Sequence, residues 1–134
     1  MADVLIIDDD PDSADVLASV MQAQGHEVRV GYDGQEGMNL VDARRPDLVL
    51  LDVEMPVLTG PGMAHRMFVH DMGLEMIPII LLSGVHNLTE VAAQVGTPYY
   101  LLKPYPLAKL VALLKRVLVE RVAPSPPGLQ PLHA

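Results

Sequence analysis

Short apolar runs recur along the chain at VLIID (4–8), VRVGY (28–32), LVLLD (48–52), IPIILLS (77–83) and YYLL (99–102), with helix-length segments between them. The first, third and fourth are apolar throughout rather than alternating, which predicts central parallel strands covered on both faces. The intervening segments carry helical signals. Ala14, Leu17, Ala18 and Met21 fall at i, i+3, i+4 and i+7, with Pro11 suited to the first helical position, Asp10 to the N-cap and Gly25 to the stop. Asp33-Gly34 opens a second helix that ends before Arg45-Pro46, a third is expected within Pro61 to Met72, and a fourth runs from about Leu88 to Val95, stopped by Gly96. In the fifth, Leu107, Leu110, Val111, Leu114, Val117 and Leu118 form a stripe from which Lys109, Arg116 and Glu120 point away, with Leu113 and Val119 at its flanks. Five strands alternating with five helices predict a doubly wound α/β sheet.

Composition narrows this reading. At 134 residues, half of them apolar, the chain is about one domain long and can bury a core. It contains no cysteine, which excludes disulfides and thiolate metal sites and fits a reducing compartment. The opening MADVLIIDDD lacks a basic region, and its apolar run is too short for a signal peptide or a membrane span, so a soluble cytoplasmic domain is expected. The net charge of −8 argues against direct binding of nucleic acid. Thirteen of the seventeen acids lie in residues 1–54 and five of the nine bases between Lys103 and Arg121. After Val122 the segment APSPPGLQPLHA has the composition of a flexible end or linker, giving expected boundaries of 1–122 for the domain and 123–134 for the tail.

In a parallel α/β sheet, ligands gather beyond the carboxyl ends of the strands. Those ends carry Asp8, Asp9 and Asp10 after the first strand, Asp52 after the third, Ser83 after the fourth and Lys103 after the fifth. Right-handed crossovers bring several carboxylates, one hydroxyl and one amine into a small volume. Clustered carboxylates repel unless a cation intervenes, and an all-oxygen set favours a hard ion such as magnesium. Magnesium beside a carboxylate, with a lysine and a hydroxyl opposite, is suited to a phosphoryl group, and carboxylates form aspartyl phosphates. The five histidines show no pairing at ligand spacing, and the methionines around the third helix read as gap-filling core residues.

Four pieces, VLIIDDDP, LVLLDVEMPVLTG, PIILLSG and YYLLKPY, together resemble the receiver domain of two-component response regulators over residues 3 to about 122. The resemblance implies a flavodoxin-like sheet of strand order 2-1-3-4-5, with Asp52 as the acceptor of a phosphoryl group from a sensor histidine kinase or phosphotransfer protein. It implies Asp9 as a direct magnesium ligand, Asp8 as one acting through water, and Glu54 as the donor of a backbone carbonyl. Ser83 and Tyr100 match the hydroxyl and aromatic of the switch, Lys103 the lysine that pairs with the phosphoryl group, and Lys103-Pro104 a cis peptide. Tyr100 also reads as plain strand core, with Tyr99 or Tyr105 as alternatives for a partner-facing aromatic. The implied output is a downstream protein, or a homodimer, meeting the face of the fourth helix, fifth strand and fifth helix. Departures include Val57 where glycine is common, Glu54 as a further acid beside the site, and Gly96-Thr97-Pro98-Tyr99 as an unusual lead into the fifth strand. Two other readings remain: a receiver-like scaffold that does not switch, and a hydrolase working through an aspartyl phosphate.

Overall fold

The computed structural model describes residues 1–52, 69–84 and 87–125. Its five strands are β1 (Asp3–Ile7), β2 (Glu27–Gly31), β3 (Leu48–Asp52), β4 (Ile79–Ser83) and β5 (Tyr99–Leu102). All pair in parallel, in the order β2-β1-β3-β4-β5. The helices are α1 (Pro11–Ala23), α2 (Gly34–Ala43), α3, of which residues 69–71 are described, α4 (Leu88–Val95) and α5 (Leu107–Glu120), with a 3-10 turn at Leu74–Met76. This is the flavodoxin-like architecture, and strand order and strand positions agree with the sequence pattern to within two residues. Most of the expected third helix, with Met63 and Met67, lies outside the described residues.

Alternation along the strands sorts the core into two layers. Leu5, Ile7, Val49, Leu51, Ile79 and Leu81 pack with Val41 of α2 and with Leu88, Val91, Ala92 and Val95 of α4. Val4, Ile6, Leu48, Leu50, Ile80, Leu82 and Tyr99 pack with Ala14, Leu17 and Met21 of α1 and with Leu110, Leu113, Leu114 and Val117 of α5. Every residue of β3 and β4 is buried, as the unbroken apolar runs require of central strands.

Helix ends follow their local chemistry. Asp10 caps α1 by accepting the Asp12 N–H at 3.1 Å, and Asp33 caps α2 by accepting that of Glu36 at 2.8 Å. The approach of α2 to β1 depends on Gly37: a Cβ there would lie 2.7 Å from Ile7 Cδ1. In α5 the buried row is Leu110, Leu113, Leu114 and Val117, whereas Leu107 is 50% exposed. The expected stripe therefore starts one turn too early, and Leu113, expected only at the flank, belongs to the core.

The lead into β5 has its own device. Pro98 has no N–H to offer the sheet, and the buried Thr97 hydroxyl donates to Ile79 O at 2.6 Å while accepting the Tyr99 N–H at 3.2 Å. A side chain thus satisfies backbone groups that a regular ladder would pair.

Candidate functional site

The sheet register brings the expected residues together. The last paired rung between β1 and β3 is Ile7 with Leu51, so Asp8 and Asp52 stand side by side one residue further on. Asp52 is in register with Leu82, and Ser83 with Leu102, which sets Ser83 and Lys103 on the next strands at the same edge. Asp8 and Asp52 continue the rows that face α1 and α5, whereas Ser83 continues the row of Ile79 and Leu81 that faces α4. The main chain closes this edge through Asp8 N–H donating to Gly31 O at 3.0 Å and Lys103 N–H donating to Ser83 O at 2.8 Å.

Carboxylate oxygens of Asp8, Asp9 and Asp52 all lie within 4.8 Å of one another. Asp8 is 1% and Asp52 6% exposed, while Asp9 is open to solvent. Asp8 Oδ1 accepts the Asp10 N–H at 3.0 Å, but its Oδ2 is buried with no hydrogen-bond partner among the described residues. A buried carboxylate oxygen without a donor is costly. Among the described residues, Lys103 Nζ lies 3.8 Å from Asp52 Oδ2, a loose ion pair. An all-oxygen set with one accessible and two buried carboxylates fits a hard divalent cation that keeps some of its waters. Among the described residues, these three could hold it.

The Lys103–Pro104 peptide is cis. Ser83 is fully buried, and Tyr100 lies 37% exposed on the α4 side of β5. Glu54, Val57 and His86 lie outside the described residues. Tyr105, two residues after Lys103, is half-buried against the α1–α5 layer, and its phenol is pushed up by burial first and then by the charges of Asp8 and Asp52. Sequence reasoning offered Tyr105 only as a partner-facing aromatic; its place within the field of the acid pocket follows from the turn after Pro104, which periodicity does not reveal.

Comparison with known proteins agrees with this geometry. The family model described as the response regulator receiver domain matches residues 4–115. The transcriptional regulatory protein PrrA of Mycobacterium tuberculosis is 36% identical over 123 residues, which is 88% of this chain and 50% of PrrA. The DNA-binding response regulator MtrA of Mycolicibacterium smegmatis is 32% identical over 114 residues, 84% of this chain and 48% of MtrA. The chain thus spans about half the length of the curated relatives it matches. Among solved structures, the chemotaxis protein CheY4 of Vibrio cholerae superposes with a TM-score of 0.74 at 28% identity, covering 87% of this chain and 98% of CheY4. The receiver domain of the Francisella response regulator 1452 gives 0.77 at 24% identity, over 91% of this chain and all of that one, a likeness of fold. No described helix is long and apolar enough to cross a membrane. With its parallel five-stranded sheet and its pocket of Asp8, Asp9 and Asp52, the chain belongs to the response regulator receiver domains, signalling phosphoacceptor modules rather than enzymes.

Proposed function

We propose that Asp52 accepts a phosphoryl group from a sensor histidine kinase or phosphotransfer protein, in a reaction that uses magnesium held by Asp8, Asp9, Asp52 and the backbone carbonyl of Glu54. The observation that carries this reading is the acid pocket, where carboxylate oxygens of Asp8, Asp9 and Asp52 converge, Lys103 lies beside Asp52, and the buried Asp8 Oδ2 lacks a donor among the described residues. A bound magnesium ion supplies positive charge for the phosphoryl oxygens. Asp52 is held by the buried end of β3 with its carboxylate at the pocket, the position of a nucleophile that need not move. Lys103 sits on the opposite side of Asp52 from the Asp8–Asp9 pair in strand order and neutralises part of the added charge.

The phosphorylated state draws in the Ser83 hydroxyl and, with it, the Tyr100 ring, a population shift between two packings of the β4 and β5 ends. Tyr100 starts from a half-open position on β5, so it has somewhere to go. The output is read by a downstream protein, or by a second copy, on the face of α4, β5 and α5. A cytoplasmic location fits this role.

The test is treatment with a small phosphodonor and magnesium, read by intact-mass spectrometry. The expected result is one phosphoryl adduct, lost in Asp52→Asn and lost in wild type when magnesium is chelated. An unmodified wild-type protein under every donor would replace this reading with that of a non-switching scaffold.

A further inference from the structure

β5 carries two adjacent tyrosines, and strand alternation sends them to opposite faces. Tyr99 is fully buried and reaches the far end of α5. Its hydroxyl donates to Glu120 Oε1 at 2.9 Å and accepts the Val122 N–H at 3.4 Å. The Arg116 guanidinium lies 5.3 Å from the ring centroid and pairs with Glu120 at 3.3 Å, so ring, acid and base form one unit. That unit stands where α5 stops, at Arg121, whose φ of 52° turns the chain out of the helix. The chain then folds back: Pro124 is buried, and the Ser125 N–H donates to Gly96 O at 2.9 Å, in the loop that leads into β5.

At its other end the same strand enters the acid pocket, through Lys103 N–H on Ser83 O and Lys103 Nζ near Asp52. Only three residues therefore lie between Lys103 at the pocket and Tyr99, which holds the chain's exit. We infer that Tyr99 is a latch that fixes residues 122–125 against the start of β5, so that a displacement of β5 at the pocket is passed to the point where the chain leaves the domain. The phenol is the part that matters. A phenylalanine would fill the same space, yet only the hydroxyl joins strand, helix end and exit segment. The coupling is reciprocal, so loosening the exit also loosens the pocket end of β5. Its use as an output rests on the receiver reading above, but the coupling stands on the fold alone.

The test is amide hydrogen exchange followed residue by residue in Tyr99→Phe and in Glu120→Ala, without phosphodonor or magnesium. Failure of this inference and failure of the phosphoacceptor reading are thereby separate outcomes. Glu120 is exposed, so its replacement removes half the latch without touching the core. The expected result in Tyr99→Phe is exchange roughly fivefold faster at Val122 and Ser125, as loss of one net hydrogen bond predicts. A smaller acceleration is expected at Lys103, and none at Val49, whose N–H is bonded to Pro78 O in the centre of the sheet. Glu120→Ala should give the same pattern at lower amplitude. Unchanged exchange at Val122 and Ser125 would overturn the latch. Acceleration confined to those two, with Lys103 unaffected in both variants, would overturn the coupling, and so would a uniform rise that includes Val49.

Discussion

Acids stand at both ends of the sheet, and the two ends treat them differently. At the amino ends, Asp3 of β1, Glu27 of β2 and Asp47 just before β3 are matched by arginines. Arg29 and Arg44 both reach Asp3, at 3.1 and 2.7 Å, Arg44 also reaches Glu27 at 3.3 Å, and Arg121 lies 3.8 Å from Asp47. Arg29 additionally donates to Leu40 O and Arg44 O, satisfying carbonyls at the end of α2. Among the described residues, the carboxyl ends gather Asp8, Asp9 and Asp52, with Lys103 beside Asp52. One end, among the described residues, is charge-balanced by its own side chains, whereas the other carries an excess of carboxylates. Balanced networks hold a fold together, whereas a deficit in a half-buried pocket is a demand for something from outside.

That contrast can be broken by experiment. The largest expected effect is at the balanced end, where Asp3→Ala leaves Arg29, only 17% exposed, without its carboxylate, at a cost of about 2–3 kcal/mol in chemical denaturation. A loss below about 0.5 kcal/mol would place this network among ordinary surface pairs. Next comes the deficit end. Magnesium at ten times its dissociation constant should stabilise the wild-type protein by about 1.4 kcal/mol, and Asp52→Asn should lose most of that gain. Without magnesium the same substitution should stabilise, by on the order of 1 kcal/mol, since relief of repulsion with Asp8 and Asp9 exceeds the lost pull of Lys103. A destabilised Asp52→Asn in metal-free buffer would mean that the pocket is already balanced.

The smallest effect concerns pH at the amino end. His26 Nδ1 accepts the Ala2 N–H at 3.0 Å. Its pKa is held below the ordinary 6.5, by partial burial first and then by the positive charge of the chain's amino terminus. Because the unfolded chain binds this proton more readily than the folded one, the stability due to neutral His26 is complete above pH 6.5 and declines as pH falls below it. Thermal midpoints between pH 7.5 and 5 should therefore drop slightly more in wild type than in His26→Asn. Equal slopes would remove His26 from the network.

Much of this was legible in the sequence because strands with unbroken apolar runs fix both the topology and the level at which each chain emerges. Asp8, Asp52, Ser83 and Lys103 are each the last residue of such a run or the one after it, so register alone gathers them. The latch around Tyr99 was not legible. Its partners Glu120, Val122 and Ser125 lie more than twenty residues away, and neither period 2 nor period 3.6 reports on where a tyrosine hydroxyl ends. Arg116 and Glu120 were expected to point away from the core, and they are exposed, yet both serve the one buried aromatic of the strand. Leu107 misled for a related reason. Its spacing is right for the stripe, but periodicity does not report that this first turn of α5 stays half exposed.

Thr97 has a consequence for the whole edge of the sheet. β5 is paired on one side only, and its partner β4 is apolar up to Ser83 at its end, a combination that tolerates slippage. A slip of one residue would exchange the two tyrosines, driving the exposed ring into the core and expelling the buried one. The Thr97 hydroxyl, clasped between Ile79 O and the Tyr99 N–H, works as a keyed tooth that admits a single alignment. One oxygen atom thus joins the anchors of Tyr99 in keeping that ring toward the helix and its neighbour toward the solvent.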